Sequence, residues 1–596
     1  VSIRAEPDRK FAKRAWLRAL ERTASIERER DLCVPVLIDR LADRHGPQLA
    51  LASPGESLTY RALAARAHRY ARWGLAQGLR SGDTVVLLMG NRPEYLAVWF
   101  GLTRLGVTVA LANTHLTGEA LVHSVAIVAP KCIVVGAAHA AALAFVRERL
   151  PPAKIWVHGD SAEDFPDLAQ LLADVPDETL SAAECALPSV DSTALYIYTS
   201  GTTGLPKAAK VSHHRLLQWS HWFAGLLDVT PSDRMYDCLP LYHSVGGVVA
   251  TGATLVGGGV VEIRERFSVS DFWRDVRDSE CTLFQYIGEL CRYLVNAPPR
   301  PEEREHRLRI ACGNGMRPEV WGPFQERFRV PRILEYYAST EGNFSLYNCE
   351  GEPGAIGRIP AFLAARVPVA LVRVAAATGE PLRNAAGFCE TCAPDEAGEA
   401  LGRVAAEGQP GAAFEGYQDP EASARKLLGN VFAQGDLWYR TGDLLRRDTR
   451  GFYYFVDRIG DTFRWKGENV STAEVVSALS TIPGVGEVVV YGVQIPASDG
   501  RAGMAALVVT AEFDLTAFRV AVAQRLPAYA RPVFLRLLRA LAATGTFKPK
   551  TLELMREGWD PGLIGDPLYF DDPRVQAYVP LDAATHAALG AGKIRI

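Results

Sequence analysis

From Leu49 onward, short apolar runs alternate with amphipathic stretches, and this alternation restricts the fold more than any other property of the chain. Thr84-Val-Val-Leu-Leu-Met89 reads as a buried strand, Pro93–Leu105 as a helix and Val107-Thr-Val-Ala-Leu111 as the next strand. Lys131-Cys-Ile-Val-Val135 and Ile155-Trp-Val157 repeat the pattern. Strands apolar on both faces need cover on both sides, and parallel neighbours need helical crossovers. The expectation is an α/β architecture of parallel-sheet layers covered by helices. Past Arg440 the pattern changes. An aromatic strand, Gly451-Phe-Tyr-Tyr-Phe-Val456, is followed by the charged turn Asp457-Arg-Ile-Gly-Asp461. A helix (Thr472–Leu479), two strands (Val485–Val493 and Ala505–Thr510) and a helix (Leu515–Leu526) then form an α+β unit of about 140 residues, the size of a domain. The 596 residues are therefore expected to divide into a large domain, 1–456, and a small C-terminal one, 457–596, hinged at 456–461. Residues 159–190 read as a surface connection.

A net charge of −3 gives no sign of a nucleic-acid binder. The ten cysteines read as scattered, with no C-x-x-C pair and no paired zinc spacing, and are expected as small apolar residues in a reducing compartment. The longest apolar stretches, Tyr95–Ala112 with Arg104 inside it and the glycine-rich Val245–Ile263, fall short of the roughly 20 uninterrupted residues a bilayer span needs. Both read as buried helix or strand. The first thirty residues carry nine Arg or Lys against five acidic residues, without the apolar segment of a secretory signal. Residues 8–30 read as a helix open to two interpretations. It docks on the body, or it lies on an anionic membrane, with Phe11, Trp16, Leu17 and Leu20 beside Arg9, Lys10, Lys13, Arg14 and Arg18. The expected location is cytoplasmic, with peripheral contact at the inner face of a membrane under the second interpretation.

The run Tyr198-Thr-Ser-Gly-Thr-Thr-Gly-Leu-Pro-Lys207 follows a β-favouring stretch and precedes an amphipathic one beginning near Ser212. Strand, glycine-rich turn and helix form the context of a phosphate-cradling loop. The Gly-Lys-[Ser/Thr] ending of a Walker A loop is missing. The ordered string T-S-G-T-T-G-x-P-K resembles the AMP-binding signature of the adenylate-forming enzymes, and further segments in the family's order strengthen the resemblance. It implies nucleotide contacts from Thr199, Ser200, Gly201, Thr202, Thr203, Gly204 and Lys207, and from Gly313 and Asn314 in Ala311-Cys-Gly-Asn-Gly-Met316. Glu335-Tyr-Tyr-Ala-Ser-Thr-Glu-Gly342 adds Glu335 and Tyr336 as nucleotide contacts, Tyr337 at adenine, Thr340 at phosphate and Glu341 on Mg²⁺. Asp443 of Tyr439-Arg-Thr-Gly-Asp443 would take the ribose hydroxyls, and Arg458 would contact the nucleotide. Gly460 stands where the family's hinge has an acidic residue. Lys548, with Lys550 as competitor, occupies the catalytic lysine's place. His243, in Leu239-Pro-Leu-Tyr-His243, would line an acyl pocket whose wall includes the 211–290 region with its Trp219, Trp222, Phe223 and Phe284. The resemblance further implies a small β-barrel-like part in the large domain and mobility of the small one.

Arg458-Ile-Gly-Asp-Thr-Phe-Arg-Trp-Lys-Gly-Glu-Asn-Val-Ser471 resembles the fatty acid transport protein and very-long-chain acyl-CoA synthetase branch. Trp465, Lys466, Gly467 and Glu468 are its implied CoA contacts. The implied reaction joins a long or very long fatty acid to coenzyme A through an acyl-adenylate, using ATP and Mg²⁺. Bile acids and other carboxylates are substrates within the same branch. Two alternatives stay open: an acyl-AMP ligase serving a carrier protein, and a fatty acid binding or transport protein with little catalysis.

Overall fold

The computed structural model describes residues 9–29, 31–160, 165–199, 206–364, 366–375, 378–405, 413–459, 463–465, 468–496, 500–541 and 551–594. It divides into two compact units, 1–359 with 404–427, and 360–403 with 428–596.

The first unit holds two mixed sheets. In one, Thr84–Leu88 and Thr108–Leu111 lie at the centre, flanked by Cys132–Gly136 and Lys154–His158 on one side and Thr193–Thr199 on the other, all parallel; Lys207–Ser212 closes that edge antiparallel. In the other, six parallel strands run Ile333–Ala338, Ile310–Asn314, Leu283–Ile287, Arg234–Asp237, Val260–Ile263 and Leu49–Ser53, with an antiparallel strand at each edge. The central strands are buried along their whole length. Their near-continuous Val and Leu runs reflect cover on both faces. Every residue of the helix Pro93–Thr103 is buried, which accounts for its lack of a polar side. The second long apolar stretch becomes a π-helical turn, Val245–Ala250, a helix, Thr251–Val256, and the strand Val260–Ile263. Within 159–190, read as plain connection, Asp167 caps a short helix, Leu168–Ala173.

The N-terminal helix, Arg9–Arg28, is docked on the body of its unit. Ala12, Ala15, Trp16, Ala19 and Ile26 are buried, and the Trp16 ring meets Trp222 at 5.7 Å and Tyr347 at 5.6 Å. Two of its cations serve the C-terminal end of the helix His213–Leu227. Arg18 donates to Gly225 O and Arg22 to Val229 O, both at 3.1 Å. Such donors satisfy the carbonyls a helix end leaves over and complement its dipole. The apolar side that a membrane would need is thus largely covered, leaving Leu17 exposed at 44%. No helix among the described residues is long and apolar enough to cross a membrane.

The second unit combines an antiparallel sheet, ordered Phe452–Arg458, Leu437–Arg447, Gly398–Arg403 and Val369–Val372, with an α+β part. There Val485–Gln494, Arg501–Val509, Phe534–Leu538, Leu568–Asp572 and Ala577–Pro580 form one sheet, with the helices Thr472–Ser480 and Leu515–Arg525 contributing to its core. One cysteine spacing corrects the sequence reading, because Cys389-Glu-Thr-Cys392 is a C-x-x-C string. Its backbone is extended, with Cys389 bridged to Arg383 and Thr391 to Val372, so side chains three apart leave opposite faces. Both thiols are free. Burial raises both, Cys392 to about 11, and they remain protonated small residues rather than redox nucleophiles.

Candidate active site

Thr199 and Lys207 are register partners across an antiparallel hairpin formed by Thr193–Thr199 and Lys207–Ser212. This corrects the expected order of strand, turn and helix. Ala208, Ala209 and Val211 are small or β-branched and buried as a sheet-edge strand, and the helix His213–Leu227 starts only afterwards, with Ser212 Oγ accepting from Arg215 N. The N-terminus of that helix therefore does not supply the loop's anion-binding N–H groups. Ser200, Gly201, Thr202, Thr203 and Gly204 lie outside the described residues. Burial first, and then the nearby cations Arg425 and Lys426, lower the pKa of Lys207. Three cations gathered this way suit a polyanionic ligand.

Gly313 and Asn314 end the strand Ile310–Asn314, with Tyr286 opposite Gly313 on one side and Glu335 on the other. A Cβ on Gly313 would lie 2.2 Å from Tyr286 O, so the close row needs glycine. Glu335 is only 2% exposed. Its Oε1 accepts from the N–H groups of Gly315 and of Met316 (3.1 Å), and its Oε2 accepts from the Tyr286 hydroxyl. These bonds make it a brace for the Gly315 turn. Tyr336 is buried as well, its ring edge on Phe223 at 4.8 Å, and of the doubled tyrosine only Tyr337 is half-exposed, its ring 6.0 Å from Phe344.

Thr340 and Glu341 sit in the turn between Ile333–Ala338 and Ser345–Asn348, closed by Gly342 N donating to Ser339 O at 3.0 Å. Ser244 Oγ lies 3.2 Å from Thr340 Oγ1. That contact brings the His243 segment to the same place; His243 is half-buried, its ring 4.7 Å from Tyr242. The Tyr417 hydroxyl donates to Glu341 Oε1 at 2.8 Å, and the Lys207 ammonium lies 5.6 Å from the centre of the Tyr417 ring. Arg215 donates from Nη1 to Thr340 O at 3.0 Å, and its Nε lies 3.3 Å from Glu415 Oε1. Tyr417, Arg215 and Glu415 were not read from the sequence as part of the site. The turn-forming Gly416 before Tyr417, with Asp419-Pro420 opening a helix after it, is the one local signal that this stretch is structured.

The aromatic residues expected in the pocket wall pack against other side chains. Trp222 and Phe223 fill aromatic clusters, Phe284 packs on Phe272 at 4.7 Å, and Trp219 lies under Arg215. A small apolar crevice is lined by Leu216, Val248 and Leu255 of the same 211–290 region together with Val34, Ile38 and Trp99.

Around Thr340 the polar groups are hard oxygen donors, the Glu341 carboxylate and the Thr340 and Ser244 hydroxyls. Among the described residues no group of three or more His, Cys, Asp or Glu side chains could hold a metal alone. One carboxylate with hydroxyls fits Mg²⁺ arriving with phosphate oxygens.

In the second unit Asp443 and Arg458 are register partners, with Arg458 Nε 3.2 Å from Asp443 Oδ1. Trp465 is buried and pairs with Glu468 in a short hairpin. Gly460, Lys466, Gly467, Lys548 and Lys550 lie outside the described residues.

Glu335 carries a pH prediction. Burial raises its carboxyl to about 8, against the lowering effect of the Tyr286, Met316 and Gly315 hydrogen bonds. Its folded pKa thus exceeds the ordinary carboxyl value, so the native state holds the extra proton between about pH 4.5 and 8. Stability then falls as pH rises through that window, by up to about 1.4 kcal/mol per unit. Glu335→Gln keeps an acceptor for the two N–H groups and cannot ionise. Melting curves at pH 5 and pH 8 should show a smaller drop for Glu335→Gln than for the parent; equal drops would mean that the parent carboxyl is not protonated.

The AMP-binding enzyme family matches residues 38–392, and the AMP-binding enzyme C-terminal domain matches 474–548. Long-chain fatty acid transport protein 1 of Mus musculus is 40% identical over 568 residues, covering 94% of this chain and 88% of the relative. Medium/long-chain-fatty-acid–CoA ligase FadD6 of Mycobacterium tuberculosis is 40% identical over 550 residues, 91% of this chain and 89% of the relative. The anthranilate CoA ligase AuaEII in complex with anthranoyl-AMP superposes with a TM-score of 0.75 at 21% identity, over 88% of this chain and 96% of its own. ATP-bound MatB from Rhodopseudomonas palustris gives 0.73 at 22%, over 88% and 99%. At such identities the structural likeness is one of fold, whereas the sequence matches span both parts of the chain. The chain belongs to the AMP-binding enzyme family.

Proposed function

We propose that the protein is an AMP-forming fatty acid–CoA ligase acting on long or very long chains. The observation that carries this reading is the gathering of Thr199, Lys207, Thr340 and Glu341 in one place. Support for the substrate class comes from relatives named for long-chain fatty acids at 40% identity.

The acid's carboxylate attacks the α-phosphorus of ATP, and the bond to pyrophosphate breaks. Negative charge spreads over phosphate oxygens in that step, and fixed cations and donors lower its barrier. Lys207, with Arg425 and Lys426, draws in the polyphosphate, and Lys548 is the catalytic cation. Mg²⁺, when bound with ATP, supplies further neutralisation of phosphate charge; Glu341 and Thr340 would hold it. Tyr337 flanks adenine, and Asp443, fixed by Arg458, accepts from the ribose hydroxyls. The CoA thiol then loses its proton and attacks the acyl carbon; the C–S bond forms and AMP departs with the C–O electrons. Trp465, Lys466, Gly467 and Glu468 are assigned to CoA, and Gly460 to the hinge between domains 1–456 and 457–596.

The test is pyrophosphate release from ATP with carboxylates of graded chain length, with and without CoA. Long chains should outpace short ones, and CoA should accelerate AMP release. Indifference to CoA would leave an acyl-AMP ligase. No pyrophosphate with any acid would overturn the reading.

A further inference from the structure

We propose that Tyr417 is a positioning residue that sets the Glu341 carboxylate for Mg²⁺–ATP, an inference that rests on the ligase reading above. Its phenol is a junction of groups that lie far apart in sequence. The hydroxyl donates to Glu341 Oε1 at 2.8 Å and lies beside the Thr199 side chain, where the phosphate loop begins. The ring lies 5.6 Å from the Lys207 ammonium, within cation–π range. One side chain thus touches the metal candidate, the loop's first residue and its last.

The surrounding backbone holds the phenol still. Gln418 N donates to Ala208 O at 2.8 Å, Lys210 N to Gly416 O at 3.0 Å, and Tyr417 is bridged to Ala209, so the segment runs as a further strand beside Lys207–Ser212. Tyr196 Oη donates to Gln418 Oε1 at 2.7 Å, and Ser423 Oγ accepts from Tyr417 N at 2.8 Å. Gly416 has φ +70°, and a Cβ there would meet Ser423 Oγ at 2.7 Å. Next to it, Glu415 accepts from Ser212 N at 2.8 Å and Ser212 Oγ at 2.7 Å, and its partner Arg215 holds Thr340 O. Both residues of the Thr340–Glu341 turn are therefore tied to the 413–418 segment, Glu341 directly through its carboxylate and Thr340 through its carbonyl by way of Arg215. A hydrogen bond from a fixed phenol orients a carboxylate and leaves its charge in place, the usual service of groups just behind a metal ligand.

The test is Tyr417→Phe, which removes one oxygen and keeps the ring under Lys207. The readout is the rise in melting temperature caused by ATP, titrated with Mg²⁺ in the absence of any acid, so that binding is measured apart from turnover. The Mg²⁺ midpoint is expected to rise about 10-fold or more, with the unliganded protein still melting cooperatively and losing no more than one hydrogen bond's worth of stability. Glu341→Gln should raise it as well, and the double variant should shift it no further than Glu341→Gln alone, as two groups acting through one contact require. Tyr417→His, which offers a ring N–H, should recover part of the loss and serves as the second probe should Tyr417→Phe not fold. A midpoint unmoved by Tyr417→Phe but moved by Glu341→Gln, or shifts that add in the double variant, would overturn the positioning role alone. A midpoint unmoved by both would remove Glu341 from the metal site and the inference with it.

Discussion

Glu341→Ala should reduce acid-dependent pyrophosphate release roughly 100- to 1000-fold, the range seen when one group facing transition-state charge is removed. The effect belongs to the site and not to the fold. Glu341 sits in a hairpin turn whose closing hydrogen bond, Gly342 N to Ser339 O, is between backbone atoms, and that bond survives truncation. The Tyr417 hydroxyl loses one acceptor, and the Thr199 side chain stays beside it. Losing one charge-assisted hydrogen bond is worth about 1.5–3 kcal/mol, well short of unfolding a domain with cores of this size. Glu341→Gln separates charge from shape: it retains an oxygen for Tyr417, and added Mg²⁺ should restore part of its activity. Measured rates within a few-fold of the parent for Glu341→Ala, in protein that melts normally, would dismiss Glu341 from the chemistry.

Gly288→Ala should destabilise the first unit by about 3 kcal/mol, the upper end for overpacking a tight site, and should weaken ATP binding as well. Gly288 opens the helix Gly288–Asn296 straight after the strand Leu283–Ile287. A Cβ there would stand 1.8 Å from Gly315 O and 2.6 Å from Met316 N. These are main-chain atoms, so no rotamer change relieves the overlap, and the Gly315–Met316 turn must move. The same turn donates both of its N–H groups to Glu335 and follows Asn314. Displacing it therefore strips hydrogen bonds from a buried carboxyl and shifts the residues proposed for adenine. Denaturant unfolding followed with and without ATP checks both effects; a variant as stable as the parent would show that the turn yields at no cost.

Much of the fold was legible because its strands are buried on both faces and separated by helices, a pattern that survives in sequence as Val- and Leu-rich runs such as Thr84–Leu88 and Cys132–Gly136. The ends were harder to place. Lys207–Ser212 is short and alanine-rich, and its strand character comes from pairing with Thr193–Thr199, so sequence merged it with the loop before the helix. Thr340 and Glu341 were found through an ordered motif. Tyr417 was not, because what makes it part of the site is a contact across 76 residues with Glu341, which leaves no local periodicity. The doubled tyrosine shows the same limit: adjacent strand residues face opposite ways, and only the fold says that Tyr336 is the inward one. Within the expected 211–290 wall, sequence does not separate core from cavity, because Trp222, Phe223 and Phe284 are as apolar in an aromatic core as in a binding cavity.

The N-terminal helix has a consequence for synthesis. Arg18 and Arg22 find their carbonyl partners 207 residues further along the chain. At translation rates of about 5–20 residues per second, the helix waits on the order of 10–40 s before the carbonyls it caps have been made. During that interval Trp16 has neither Trp222 nor Tyr347 to pack on, and the cations have no helix end to cover. The nascent segment is then what its composition suggests, an amphipathic basic helix with an open apolar side, and any lipid surface or chaperone that binds it must release it for the native contacts to form.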